Sequence, residues 1–207
     1  MYLVKSPYIL SQLSKKMIQW KVETTDKVIY LSFDDGPIPE VTPMVLSLLK
    51  EYNAKATFFM VGENVMKYPE LYKQVIIEGH AVGNHTFNHL KGFFNNDYIY
   101  YRNIIQASEF ISGKLFRPPH GQIKPRQIKS IGKHYKIVMW SVLSGDYDPK
   151  TSPEQCRDNI IKNTQSGSII VMHDSLKAKN NMLFALEESL KHFSKLGYRF
   201  DSLKHLS

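Results

Sequence analysis

The chain has 207 residues, 43% of them apolar and 22% charged, the make-up of one ordinary globular domain rather than a disordered or fibrous chain. The formal net charge is +8, but the Lys and Arg residues are scattered along the sequence, which argues for a basic surface and against a nucleic-acid patch. Apolar runs are only a few residues long, so no segment is expected to span a bilayer, and the lone Cys156 excludes an internal disulfide.

The predicted elements begin with a helix over Ser6 to Trp20 that carries Ile9, Leu10, Leu13, Met17 and Trp20 on one face. It reads as an N-terminal helical extension, residues 1–26, packed on the domain formed by residues 27–207. Lys5, Pro7, Lys15 and Lys16 interrupt the apolar stretches of a signal peptide and no small-residue cleavage site follows, so the expected compartment is the cytoplasm, with action at the cell envelope as the alternative. Val28 to Phe33 is strand-like, and a helix follows with Thr42 as N-cap and Pro43 in its first position. Ala56 to Val61 is a strand, a helix runs from about Pro69 to Gly79, and His80 to Asn84 is a short strand.

Asp97 to about Ile111 is helical and Lys114 to Phe116 briefly extended. Tyr135 to Val142 reads as one strand; Ser152 and Pro153 open a helix to about Gln165. Ser168 to Met172 is a strand, Asn181 to Leu196 a helix stopped by Gly197, and Tyr198 to Phe200 a last strand. Repeated strand–helix units imply an α/β fold, a parallel sheet with helices outside it, in one domain.

Polar clusters fall at the carboxyl ends of these strands: Asp34-Asp35, His85 with His89, Arg117, Asp146, and His173-Asp174. In a parallel barrel those ends converge on one face, where active sites are built. Two His residues four apart lie on one face of a helical turn and, with a carboxylate from another strand end, make the open two-nitrogen, one-oxygen set of a catalytic metal. Zinc is the default ion, with cobalt or nickel as alternatives. The Asp34-Asp35 pair needs its repulsion offset, by a metal on one carboxylate and a cation such as Arg117 on the other. His173 is a candidate general acid that Asp146 would orient and keep protonated.

Taken together these segments resemble the polysaccharide deacetylases of carbohydrate esterase family four, the NodB-homology domain. The resemblance spans roughly Lys27 to Tyr198 and rests on Leu31-Ser32-Phe33-Asp34-Asp35-Gly36-Pro37, His85-Thr86-Phe87-Asn88-His89, Arg117-Pro118-Pro119-His120-Gly121, Ser144-Gly145-Asp146-Tyr147 and Val171-Met172-His173-Asp174. It implies a distorted (β/α) barrel of about seven parallel strands. It also implies Asp34 as general base, Asp35, His85 and His89 as metal ligands, Arg117 paired with Asp34, and His173 as general acid tuned by Asp146. Pro119 and His120 would border the oxyanion, and Tyr147 and Val171 the acetyl methyl. His120, Leu143, Tyr147 and Val171 stand where the family usually has Tyr, Asp, Trp and Leu. The function so implied is metal-dependent removal of N-acetyl groups from a chitin-like or peptidoglycan-like glycan, releasing acetate. An O-acetyl esterase and a non-catalytic carbohydrate-binding barrel are the alternatives. The expected partner is the acetylated glycan and the expected state a monomer. Phe93, Phe94, Tyr98, Tyr100 and Tyr101 read as a sugar-stacking platform or as helix core.

Overall fold

The computed structural model describes residues 3–5, 14 and 16–206. Most of the helix expected over Ser6 to Trp20 lies outside the described residues. Its far end is not helical: Ile18–Gln19 (β1) is a strand paired in parallel with Lys136–Val138 (β6).

The other elements are, in order, Val28–Asp34 (β2), Thr42–Glu51 (α1), Ala56–Met60 (β3), Gly62–Lys67 (α2), Pro69–Ile77 (α3), Ala81–Asn84 (β4), Asp97–Ser108 (α4), Leu115–Phe116 (β5) and Pro125–Ile131 (α5). After β6 come Val142–Leu143 (β7), Pro153–Ile161 (α6), Ile169–His173 (β8), Lys179–Lys195 (α7) and Arg199–Phe200 (β9). The sheet runs β1-β6-β5-β4-β3-β2-β8-β7, with β9 paired to β2 off that path, and every strand pair is parallel. This is the expected distorted barrel, a curled, half-closed parallel sheet with helices outside. About seven strands were expected and nine are present among the described residues. β1 is one addition; the other arises because the run Tyr135 to Val142 breaks into β6 and β7, which pair at opposite ends of the sheet.

All seven residues of β2 are buried, as expected for a parallel strand covered on both faces. Side chains alternate between faces. Ile29, Leu31 and Phe33 enter the layer under the helices with Phe58, Met60, Ile170 and Met172. Val28 and Tyr30 point into the barrel with Phe59, Leu115 and Ile169. The same alternation sends Ser32 and Asp34 inward, and the register places Asp34 opposite Phe59 on β3 and His173 on β8. Interior room is tight: a Cβ on Gly83 would sit 2.6 Å from the Phe59 ring, so glycine at that point of β4 lets the ring lie across the strand.

The helix starts follow local chemistry. Ser152 accepts a hydrogen bond from the Gln155 N–H at 3.2 Å and caps α6 as expected. Thr42 is not the cap of α1. Val41 precedes the helix, and the Thr42 hydroxyl is committed elsewhere, accepting from the Ile38 N–H and donating to Asp174.

Candidate active site

The strand ends of β2, β7 and β8, with the loops after β4 and β5, surround a cavity of about 340 Å³. Its lining includes Asp34, Asp35, His85, His89, His173 and Trp140.

Arg117, the first residue after β5, is fully buried beneath the floor. Its Nη1 donates to Asp34 Oδ1 at 2.7 Å and to Ser32 Oγ at 2.9 Å, its Nε to the Val138 carbonyl at 3.2 Å and its Nη2 to the Met139 carbonyl at 3.0 Å. The guanidinium lies 4.0 Å from the centre of the Phe59 ring. The Val138 carbonyl lies at the end of β6 and the Met139 carbonyl just past it, so the guanidinium is held where the chain leaves the strand. Burial is the largest single influence and would raise the Asp34 carboxyl, but the charge and hydrogen bond of Arg117, together with His85 and His173, outweigh it and hold Asp34 below the ordinary carboxylate range. Asp34 is an ionised carboxylate that lines the cavity.

The chain then reverses. Asp35 has φ +86°, which turns its carboxylate into the same cavity instead of onto the opposite face of the sheet. Asp174 holds the reversal. Its carboxylate, fully buried, accepts from the Gly36 N–H at 3.0 Å and the Thr42 hydroxyl at 2.6 Å, and its own N–H donates to the Asp34 carbonyl at 3.1 Å. A Cβ on Gly36 would lie 2.1 Å from Asp174 Oδ2.

His85 and His89 do meet, with ring centres 5.1 Å apart, but not on a helical turn. The segment is an irregular loop with φ +67° at Thr86 and +59° at His89. Side-chain amides displace the helical bonds: Asn84 Oδ1 accepts from the Thr86 N–H and Asn103 Oδ1 from the Phe87 N–H. His85 Nδ1 lies 2.7 Å from the Arg117 carbonyl. Since a carbonyl only accepts, Nδ1 carries the proton and the Nε2 lone pair faces the cavity. Burial pushes the His85 ring down to about 4, so it is neutral near pH 7.

Asp35 Oδ1 is buried and makes no hydrogen bond. It lies 3.3 Å from His89 Nε2 and 3.9 Å from His85 Nε2. The ligand atoms of Asp35, His85 and His89 all lie within 4.8 Å of one another. An orphaned carboxylate oxygen facing two imidazole nitrogens fits a divalent cation, and three protein ligands leave a coordination position open.

His173 lines the cavity as well. Its Nδ1 donates to Asp146 Oδ1 at 2.8 Å, and its backbone N–H to Asp146 Oδ2 at 2.7 Å. Burial works against the charge of the ring, but the Asp146 carboxylate outweighs it and lifts His173 to about 9. Asp146, itself buried, stands behind the ring and does not line the cavity.

His120, Leu143, Tyr147 and Val171 line the cavity. Pro119 is buried behind it, at the start of a short 3-10 turn in which His120 takes φ +58°. The His120 ring lies 4.8 Å from that of His89, and the Tyr147 ring stands edge-on to His173 at 5.1 Å. Trp140, Ser175 and Lys177 line the cavity too and had no place in the sequence reading. Trp140 sits in the broken strand, and Ser175 and Lys177 follow His173-Asp174, a strand end whose exit loop was open to inspection. Of the aromatic group after His89, Tyr100 is fully buried, whereas Phe93, Phe94 and Tyr98 are exposed.

The polysaccharide deacetylase family model matches residues 21–139. The chain is 37% identical over 196 residues to a peptidoglycan-N-acetylglucosamine deacetylase of Bacillus cereus, covering 91% of this chain and 92% of that protein. It is 30% identical over 216 residues to a peptidoglycan-N-acetylglucosamine deacetylase of Listeria monocytogenes, of which it spans 45%. Among solved structures, that of a peptidoglycan N-acetylglucosamine deacetylase bound to 4-naphthalen-1-yl-N-oxidanyl-benzamide matches with a TM-score of 0.88 and 32% identity, covering 95% of each chain.

Proposed function

The chain belongs to the polysaccharide deacetylase family and is a polysaccharide N-deacetylase; on that premise we propose that its substrate is an N-acetylglucosamine unit of a peptidoglycan-type glycan. The observation that carries the reading is the pairing of an ionised base, Asp34, with a cationic acid, His173, on neighbouring strand ends lining one cavity, beside the orphaned Asp35 oxygen.

In this reading Asp35, His85 and His89 hold one divalent metal, zinc by ligand type with cobalt or nickel as alternatives. When bound, such an ion polarises the acetamide carbonyl and lowers the pKa of the attacking water toward about 7. Asp34 removes the proton of that water; its pairing with Arg117 keeps the carboxylate aimed and ionised. His173 gives its Nε2 proton to the amine nitrogen as the C–N bond breaks, and keeps its Nδ1 proton, hydrogen-bonded to the Asp146 carboxylate. Acetate and a free amino sugar leave. Leu143, Tyr147 and Val171 bound the space for the acetyl methyl, and the turn that carries His120 borders the oxyanion.

The test is acetate release from N-acetylglucosamine oligomers by chelator-treated protein, with and without added Zn²⁺ or Co²⁺. Release that depends on the ion supports the reading. No release from any N-acetyl oligomer, with release from O-acetylated xylan, would replace it by the esterase alternative.

A further inference from the structure

Beside the catalytic cavity lies a second one of about 450 Å³, bordered by Lys150, Ser152, Leu176, Lys177, Asn180 and Asn181 among others. Lys177 borders both cavities, so the second lies next to the first. The second cavity has the size of a site for a small organic group. Its walls are the loop that follows β7 and the start of α7. The Asn181 amide ties them together, donating to the Thr151 carbonyl at 2.8 Å and to the Asp146 carbonyl at 3.4 Å. The same loop carries Asp146, so the second cavity and the acid are held by one piece of structure.

The charge in this cavity is one-sided. Two lysines, Lys150 and Lys177, border it, and among the described residues no Asp or Glu does. The acids nearest in sequence are turned to local bonds: Asp148 accepts from the Lys150 N–H at 2.9 Å and Glu154 from the Ser152 hydroxyl at 2.8 Å. Neither Lys150 nor Lys177 makes an ion pair among the described residues. Lys177 instead stands 5.7 Å from the centre of the Tyr147 ring, at the junction of the two cavities. Two unpaired ammonium groups at a concave polar site focus a positive potential on whatever enters it. Asn180 and Ser152 add neutral groups suited to hydroxyls.

We propose that this second cavity is a subsite for a carboxylate on the sugar next to the one being deacetylated, held between Lys150 and Lys177. The proposal rests on the deacetylase reading and narrows it: the substrate is an acidic glycan, not a neutral one. The ammonium–carboxylate contacts act in binding, away from the reacting carbonyl, so the preference enters through KM.

The experiment compares a tetrasaccharide of alternating N-acetylglucosamine and N-acetylmuramic acid with its methyl ester, which differs only in charge and one methyl group. For the wild-type chain at low salt, kcat/KM for the acid is expected to exceed that for the ester by about fivefold or more, the scale of two partly exposed ion pairs. That ratio should fall toward one in Lys150→Gln/Lys177→Gln and in molar salt. Equal values for acid and ester in the wild type, or an undiminished ratio in the double variant, would overturn the subsite. Release of acetate from neither compound would count against the deacetylase reading instead. Calorimetric binding of the two compounds then decides the subsite separately: tighter binding of the acid, lost in the double variant, supports it, and equal binding overturns it.

Discussion

Asp146→Asn isolates the device that keeps His173 charged. In the wild type both carboxylate oxygens are used, one on the His173 backbone N–H and the other on Nδ1–H. Asparagine has one acceptor oxygen. If it stays on the backbone, its NH₂ meets Nδ1 and displaces the Nδ1 proton, leaving a neutral ring protonated at Nε2. The negative charge is lost as well, so only the smaller Asp35 and Asp34 charges still oppose burial and the ring should titrate toward the ordinary 6.5 instead of about 9. At pH 8 the protonated fraction then drops from about 0.9 toward about 0.03, a loss approaching thirtyfold in the acid form. The assay is kcat/KM for acetate release between pH 5.5 and 10, which reports the free enzyme. The alkaline limb should move from about 9 toward 6.5, with the deficit shrinking as the pH falls toward 6. An alkaline limb that stays near 9 in the variant would refute the coupling of Asp146 to the acid. Stability follows the same linkage. Because the folded state raises the His173 pKa, its contribution of about 3 kcal/mol is fully present below pH 6.5 and is lost as the pH rises through 9. Wild-type stability attributable to this pair should fall across that window, and the slope should be absent in Asp146→Asn.

Asp34→Asn removes the base and leaves the three metal ligands, so turnover should fall by at least about a hundredfold while Zn²⁺ binding, read by calorimetry, persists. Arg117→Met leaves Asp34 buried without its cation; urea unfolding should show a loss of about 3–5 kcal/mol, and the acid limb of the rate profile should move to higher pH as Asp34 becomes easier to protonate. Gly36→Ala puts a methyl 2.1 Å from Asp174 Oδ2, so a loss of about 1–3 kcal/mol on thermal unfolding and weaker Zn²⁺ binding are expected as the turn that carries Asp35 is displaced.

What the sequence determined was chemistry and order. Strand ends followed by Asp34-Asp35, His85 and His89, Arg117, Asp146 and His173 were legible because a parallel α/β fold puts every such end on one face. The alternation along β2, β3 and β8 likewise fixes which side chains point inward. Only the tertiary structure decided the conformations that complete the site. The spacing of His85 and His89 suited a helical turn, but the amide of Asn84 two residues before Thr86, and that of Asn103 on α4, took the N–H groups and set a loop. The run Tyr135 to Val142 has the composition of one strand, but its two halves join the sheet at different places, β6 beside β1 and β5 and β7 beside β8, and the guanidinium of Arg117 is seated at the carbonyls of Val138 and Met139 between them. Thr42 has the signature of a cap, yet it serves Asp174, a residue 132 positions away in sequence. In each case a local preference worth a few tenths of a kcal/mol to about 1 kcal/mol gave way to a buried polar group that had to be paired, whose cost if left unmet is about 1–3 kcal/mol and more when charged. Except for Asn84, two residues from Thr86, those partners lie far off in sequence, and only the folded chain brings them together.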